Sequence, residues 1–424
     1  MVAGADRAIL INAGSMMGAM AIIAGLGFAY WWLAARFFAP VAVGLASAAV
    51  SAMMLLGNAG ILGLGTLLLG ELPRRPGREA ELIFSGVGMA AAAGGVLGVL
   101  LALVSPRVAG DLGVLANSPG SVALFTGGAG LTAASLVLDQ ALVGLSRGIV
   151  QLRRNVVFAL SKLVLLYLMG IRSANGSALA VYVTWVAGIV LSLFVVVRAI
   201  PGRGPTSASL SQTRSLWRGL GRAAAAHHGL NLVLLAPGLT LPLIVTAVLS
   251  AEVNAGFYIA WMVAGLVFVG PDSLATVLYS ASVADPSDLP GRLWRLGLLS
   301  LGLGVSANVA LWMLAGPVLS FFGQSYAEVA TTGLRILALA VFPLIVRFYY
   351  VALRRVEGRL VSTVSLMAGG ALLEVVAATV GAYGMGLPGL CIGWVLALCV
   401  QALLLFPAVL RAMRAPDGPA KSEA

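Results

Sequence analysis

Six charged side chains lie inside long apolar stretches of this 424-residue chain, and they are the residues best placed to do chemistry. A charge in the hydrocarbon core of a bilayer costs about 2.5–3.5 kcal/mol on insertion scales, so such residues are functional candidates by default. Three of the six are acidic and three are basic, so internal pairing must be weighed first. They are Asp139, Lys162, Asp272, Arg335, Arg347 and Glu374.

Depth within the apolar stretches predicts two ion pairs. Arg335 lies eight residues after Ala327, and Glu374 lies nine residues before Tyr383. Ala327 and Tyr383 are the predicted outer ends of two consecutive apolar stretches. Consecutive helices are usually neighbours, so these two side chains are expected to meet. Asp139 and Lys162 lie on another consecutive pair at depths that differ by about 6 Å, which a lysine can span. Both pairs can be structural, or they can be gating pairs that break when the protein changes conformation.

Arg347 remains without an acid at its depth on either adjacent stretch, and Asp139 or Asp272 could reach it only if the two halves of the chain meet there. An unpaired guanidinium inside a membrane suits an anion such as a phosphate group, because it can donate two parallel hydrogen bonds. The alternative is that Arg347 extends toward the cytoplasmic headgroups. The sequence predicts a substrate-binding set of Arg347, Arg335, Lys162 and Arg36.

Three further residues stand at the ends of apolar stretches. His227 and His228 begin the seventh stretch, where an imidazole can exchange protons near neutral pH or simply pack at the interface. Arg36 closes the first stretch and is either a substrate contact or an anchor to outer headgroups. Four asparagines could bind sugar hydroxyls or bond helix to helix: Asn12, Asn58, Asn231 and Asn308.

The elements that position these residues must be membrane helices. Sixty per cent of the residues are hydrophobic, only 10% are charged, and the mean hydropathy is +1.02. A soluble domain would be about 25% charged. Each crossing needs about 20 apolar residues, and unpaired backbone groups are too costly in lipid for anything but helices here. The twelve predicted spans are Ala8–Ala35, Val41–Gly70, Leu82–Ser105, Ser121–Leu145, Leu152–Gly170, Ala178–Val197, Ala223–Leu249, Ala255–Val283, Leu293–Leu314, Ala327–Leu353, Leu360–Tyr383 and Leu387–Leu410.

Basic residues between the spans predict the orientation. Of the 26 Lys and Arg residues, 20 fall at the N-terminus, in the even-numbered loops and in the tail. Three lie in the opposite loops. Cytoplasmic loops retain Lys and Arg, so both termini are predicted to be cytoplasmic. The net charge of +11 is explained by topology and anionic headgroups, and no nucleic-acid partner is expected.

The chain is expected to contain two bundles of six helices. Residues 1–200 and 223–414 form the bundles, residues 201–222 form a cytoplasmic linker, and residues 415–424 form a disordered tail. VGLASAAV (Val43–Val50) and AGFYIAWM (Ala255–Met262) are 212 residues apart, and the turns ending at Gly148 and Gly358 are 210 residues apart. A common offset near half the chain length indicates a duplication.

The stretch YWWLAARFFAPVAVGLASAAVSAMMLLGNAGILGLGTLLLGELPRR (Tyr30–Arg75), the YVALRRVEGR turn (Tyr350–Arg359) and the twelve-span plan resemble bacterial polysaccharide transporters. These are the O-antigen-type lipid-linked oligosaccharide flippases of the MATE-like (multidrug/oligosaccharidyl-lipid/polysaccharide) superfamily. The resemblance implies an all-α, MATE-like fold in the bacterial inner membrane. It implies movement of an undecaprenyl-pyrophosphate-linked glycan to the outer leaflet by alternating access. Membrane lipids and other glycan-assembly membrane proteins are the implied partners.

Three other functions compete with the flippase. A cation-coupled multidrug exporter of the same superfamily would carry acidic clusters in its N-terminal half, where only Asp139 lies within a span. A glycan polymerase or ligase would need long outer loops with catalytic residues, whereas the longest here, Pro106–Gly120, holds just Arg107 and Asp111. A scaffold that keeps the fold without transport is the third. The sequence shows no carboxylate pair, Ser/His/Asp set or metal cluster, so no catalytic residue, metal or cofactor is expected.

Overall fold

The structure, a computed structural model, describes residues 23–108, 113, 117–172, 177–196, 222–284 and 288–414. Residues 201–221 of the predicted linker, the tail 415–424 and residues 8–22 of the first predicted span lie outside these ranges. The described chain is α-helical, as predicted, and contains no strand. Its helices are α1 (23–37), α2 (Pro40–Gly60), α3 (Leu64–Glu71), α4 (Glu79–Val108), α5 (Pro119–Gly144), α6 (Gly148–Arg172), α7 (Ala178–Leu193), α8 (Arg222–Ile244), α9 (Ala251–Ala284), α10 (Leu289–Ser320), α11 (Gln324–Ala338), α12 (Val341–Val356) and α13 (Leu360–Met413). A short 3₁₀ turn (Leu72–Arg74) follows α3, and a π-helical turn (Val245–Leu249) follows α8.

The chain divides into two compact units, Met1–Ala224 and Ala225–Ala424. In the first unit, α4 and α5 pack closely because glycines line their contact. A Cβ on Gly94 would lie 2.8 Å from the carbonyl oxygen of Ala129, and one on Gly130 would lie 2.8 Å from that of Ala91. Small residues let membrane helices approach until their backbones touch. The apolar core beside this contact includes Leu64, Leu68, Ile83 and Leu142.

The second predicted span, Val41–Gly70, is broken into α2 and α3. The chain leaves the helix after Gly60 and passes through Leu62 (φ 52°) and Gly63 (φ 77°) before α3 begins. Glycine adopts positive φ without steric cost, so the Gly-rich sequence permits a break that hydropathy alone does not reveal. Gly60 also packs against the backbone of Gly94, as expected for a close contact.

The tenth predicted span, Ala327–Leu353, is bent by 45° between α11 and α12. Pro343 has no N–H to donate to Leu339, and the amide of Phe342 bonds Leu339 O instead of Ala338 O. The side chain of Asn308 donates to the carbonyl oxygen of Ala338 across 2.6 Å. One asparagine on α10 thereby satisfies a carbonyl that the bend sets free.

The longest helix, α13, contains a kink. Met385 and Gly386 leave helical geometry, and they separate a first arm (360–384) from a second arm (387–413). The kink falls in the predicted loop between the last two spans. The arms fold back on each other through glycines, since a Cβ on Gly381 would lie 2.0 Å from Gly389 O.

Membrane crossing is supported by helix length and composition. Eight described helices are long and apolar enough to cross a membrane, or nine when the bent pair α11–α12 counts as one span. This count is lower than the twelve predicted spans. Large apolar side chains face outward from the bundles, as lipid requires, among them Met313, Leu372, Val380, Leu403 and Leu404.

Candidate functional site

In the first unit, the buried acid Asp139 is paired with Arg154. Arg154 Nε donates to Asp139 Oδ1 (2.8 Å), and Nη2 donates to Oδ2 (2.5 Å). A third guanidinium nitrogen, Nη1, donates to Ser192 Oγ across 3.2 Å. The predicted pair of Asp139 with Lys162 is therefore wrong. Arg154 was counted with the cytoplasmic residues, but α6 begins at Gly148 and carries it into the bundle, where its planar fork matches a carboxylate.

Lys162 lies instead among aromatic rings. Its Nζ is 3.4 Å from the ring centroid of Trp185, 4.7 Å from that of Phe158 and 4.8 Å from that of Tyr30. These rings come from α7, α6 and α1, and the residue is 4% exposed. Gly188 lets α7 approach, since a Cβ there would be 3.0 Å from Lys162 Cβ. We call Tyr30, Phe158 and Trp185 the aromatic cage.

In the second unit, Glu374 is paired with Arg347 rather than with Arg335. Arg347 Nη1 donates to Glu374 Oε1 across 2.8 Å. Gln401 Nε2 donates to the same oxygen (2.9 Å), and Trp394 Nε1 donates to Oε2 (2.8 Å). Glu374 is 1% exposed, so this pair is buried with its carboxylate fully bonded.

Two predictions about these residues are therefore wrong: the pair of Arg335 with Glu374, and an Arg347 without an acid. The hairpin of spans 10 and 11 was correctly expected to carry the ion pair. The depths were computed for a straight helix, however, and the 45° bend between α11 and α12 invalidates them. Arg335 lies on α11, where its Nε donates to Trp312 O (3.2 Å) and its Cζ is 5.7 Å from the Trp312 ring centroid.

A second arginine on α12 was missed by the sequence analysis. Arg355 Nη2 donates to Asn231 Oδ1 on α8 across 3.0 Å. The Nε atoms of Arg355 and Arg347 are both buried and have no hydrogen-bond partner within the described structure. The exposed Asp272 of α9 lies within electrostatic range of both arginines, and it forms no ion pair in the described ranges. We call Asn231, Asp272, Arg347 and Arg355 the α12 cluster.

The remaining candidates lie at the edges of these groups. His227 is partly buried and within electrostatic range of Arg355, whereas His228 is partly buried on the adjacent face of α8. Arg36 is exposed, with its guanidinium carbon 5.8 Å from the Trp32 ring centroid. No group of three or more His, Cys, Asp or Glu residues that could hold a metal occurs in the part of the chain that the structure describes.

Arg355 would have been recognised from the sequence if the predicted helix had been continued to the turn that ends at Gly358. It lies eight residues after Arg347, which places the two about 80° apart around one helix and about 12 Å apart along it. The hydropathy pattern assigned Arg355 to the loop, because the span was ended at Leu353. The helix continues to Val356.

The comparisons with solved structures identify the fold. An inward-facing multidrug resistance MATE family transporter of the MOP superfamily aligns with a TM-score of 0.69 at 16% identity, over 92% of this chain and 94% of that one. The lipid II flippase MurJ, in an inward closed conformation, aligns with a TM-score of 0.70 at 12% identity, over 93% and 88%. A MOP superfamily transporter from Pyrococcus furiosus, described as having a binding pocket of reversed polarity, aligns with a TM-score of 0.62 at 16% identity, over 94% and 93%.

The sequence itself matches no family model and no curated protein. The structural likeness at this identity establishes the fold. The chain has the fold that multidrug resistance MATE family transporters of the MOP superfamily share with the lipid II flippase MurJ.

Proposed function

We propose that this MOP-fold membrane protein is a flippase for an undecaprenyl-pyrophosphate-linked oligosaccharide or a related glycolipid. It moves the substrate from the cytoplasmic to the outer leaflet of the bacterial inner membrane by alternating access. The fold it shares with the lipid II flippase MurJ supports a lipid-linked substrate. The resemblance of Tyr30–Arg75 to polysaccharide transporters supports a glycan, with other glycan-assembly membrane proteins as partners.

The α12 cluster is the observation that carries this proposal. Two guanidinium groups keep buried Nε donors that lack an acceptor within the described structure. A buried donor without a partner costs about 1–3 kcal/mol, and an anionic ligand removes that cost. Guanidinium groups match phosphate oxygens with two parallel hydrogen bonds. The cluster therefore suits the diphosphate of a lipid-linked glycan, which must find a counter-charge near the cytoplasmic end of span 10.

The second candidate is a cation-coupled multidrug exporter, because MATE transporters share the fold at a TM-score of 0.69. Cation-coupled exporters of this superfamily are expected to carry free carboxylates in the N-terminal half. Asp139 is the one acid within the predicted N-terminal spans, and both of its oxygens are bonded to Arg154. This occupancy favours an anionic substrate over a cationic one.

The proposed topology is twelve spans with both termini in the cytoplasm, arranged as six-helix bundles at 1–200 and 223–414. The eight membrane-competent helices include α13 once. Twelve is reached by adding the α11–α12 pair, the second arm of α13, α1 and the 16-residue α7. Residues 201–222 are the proposed linker, and residues 415–424 are the proposed cytoplasmic tail.

The test measures translocation of a fluorescent undecaprenyl-pyrophosphate-linked glycan in reconstituted vesicles. Arg347→Lys retains the charge beside Glu374 but removes the Nε donor, and Arg355→Gln removes the other guanidinium. Each is expected to slow translocation by about ten-fold to a hundred-fold, because a charge-assisted hydrogen bond contributes about 1.5–3 kcal/mol. Arg295→Gln, which removes an exposed cation that pairs with Asp288, is the matched control and should transport normally.

Two outcomes would count against the proposal. Unchanged glycan translocation by both variants, at matched protein levels, would remove the α12 cluster from the substrate path. Export of cationic dyes without glycan translocation would establish the exporter instead.

A further inference from the structure

Lys162 differs from the other buried cations in what stabilises it. Arg154 and Arg347 are each bonded to a carboxylate, whereas Lys162 is held by the aromatic cage and has no acidic partner among the described residues. Aromatic faces attract an ammonium group without neutralising it. They also accept no proton. The cage therefore attracts the protonated form of Lys162, but it supplies no carboxylate whose negative charge would keep the lysine protonated as an ion pair does.

The residue type at this position is itself informative. The chain uses arginine for 24 of its 26 basic residues, and Lys162 is the one lysine within the predicted spans. The other, Lys421, belongs to the tail. An arginine is not deprotonated in proteins, whereas a buried lysine can release its proton. At this buried position the chain therefore has a lysine, which can exchange a proton, and not an arginine, which cannot.

The other titratable groups around Lys162 are few. Tyr30 of α1 forms a hydrogen bond with Val181 O on α7, at 2.8 Å. Tyr182 of α7 is buried, and Asp139 of α5 is occupied by Arg154, which lies two turns from Lys162 on α6. Helix α2 carries no titratable residue. Lys162 is therefore the group in this part of the structure that can change charge without breaking an ion pair.

We infer that Lys162 is a proton-binding site through which a transmembrane proton gradient drives transport. The Nζ lone pair takes a proton from hydronium, and the resulting ammonium returns it to water, so only one N–H bond forms and breaks. Protonation places a cation in the cage and deprotonation removes it. A change of charge at one buried site biases two conformations when they bind the proton unequally. This coupling rests on the proposed transport activity.

The first test reads protonation without any substrate. Trp185 touches Nζ, so its fluorescence reports the charge at Lys162 in the purified full-length protein. Exchange under a proton gradient requires a pH-dependent change below about pH 10, where an exposed lysine titrates, and the change is obtained as the difference between wild type and Lys162→Met. It should be lost in Trp185→Phe and in Lys162→Arg, and kept in Trp312→Phe, which removes a tryptophan beside Arg335. A Lys162-dependent change seen only above about pH 10, where an exposed lysine titrates, overturns the inference.

The second test reads coupling in vesicles. An imposed pH gradient should accelerate transport by wild type, and Lys162→Met should lose this acceleration while still inserting, since it removes a buried charge. Acceleration that persists in Lys162→Met overturns the inference. The fluorescence titration does not depend on the substrate. If no lipid-linked glycan is moved but the titration occurs, the proposed substrate fails while the proton site stands.

Discussion

At the scale of single residues, the three buried cations of the described chain are stabilised in three different ways. Arg154 has a bidentate carboxylate, Arg347 has a carboxylate that is also bonded by an amide and an indole, and Lys162 has aromatic faces. Removing a charged group from water is costly unless a partner compensates it. Because the three cations have different partners, substitutions at the three positions are expected to change the stability of the protein by different amounts.

The Arg347–Glu374 pair yields a prediction about stability. Glu374→Gln leaves the guanidinium without its counter-charge and should destabilise the protein by about 3–5 kcal/mol, because breaking one side of a buried pair strands the other. The double substitution Arg347→Met with Glu374→Met should be less harmful than Glu374→Gln alone. The measurement is the thermal unfolding midpoint of the purified protein in detergent.

Arg335→Gln is the control for this pair. Arg335 belongs to the same predicted span, but its contacts are the carbonyl and ring of Trp312. Its loss should shift the midpoint much less than Glu374→Gln does. Equal shifts for the two variants, or a double variant worse than the single, would contradict a dominant role for the buried pair.

The sequence predicted that Asp139 and Glu374 would be paired, but it did not predict their partners. Membrane cost alone requires a cation for each acid. Choosing among cations requires helix ends and bends to be known within one turn. Arg154 was counted with the cytoplasmic basic residues although the predicted span Leu152–Gly170 contains it, and Arg347 was placed by depth along a span that is bent.

At the scale of helices, the breaks inside predicted spans are where polar side chains find backbone partners. The bend between α11 and α12 frees the carbonyl of Ala338, and Asn308 of α10 bonds it. In lipid no water is present to do so. A polar residue inside a span can therefore be explained by an irregularity in the neighbouring helix.

Asn308→Ala tests this account of the bend. The substitution leaves the Ala338 carbonyl buried without a donor, and it should cost about 1–3 kcal/mol of stability. Asn58→Ala is the matched control, because Asn58 bonds Met54 O on its own helix α2. The thermal midpoint in detergent measures both. Equal, small shifts would show that the bend does not need Asn308.

Hydropathy predicted these elements better than it predicted their interruptions. Apolar length is a sum over many residues, so it locates helices within a few residues. A break depends on single residues such as Gly63 and Pro343. The kink at Met385 and Gly386 was placed correctly, because a glycine-rich, less apolar segment marks it.

At the scale of the whole chain, each of the two units carries one buried ion pair between consecutive helices. In the first unit the acid is Asp139 of α5 and the cation is on α6. In the second the cation is Arg347 of α12 and the acid is on α13. Asp139 lies nine residues before Gly148 and Arg347 lies eleven residues before Gly358, the two turns that the proposed duplication relates. The two halves would then hold corresponding helix pairs together with opposite charge order.

The proposed orientation gives the last prediction. In a background with Cys391 and Cys399 replaced by alanine, single cysteines at Pro76, Ser207 and Gly418 should resist membrane-impermeant thiol reagents in intact cells. A cysteine at Ser325 or Asn175 should react, because an odd number of spans separates these positions from the first group.

Permeabilised cells provide the control, since all five cysteines should then be labelled. The expectation follows from the retention of basic residues in cytoplasmic loops, which places 20 of 26 on one side. Labelling of position 207 in intact cells would overturn the twelve-span, N-in arrangement, and with it the assignment of the α12 cluster to the leaflet where the lipid-linked glycan is loaded.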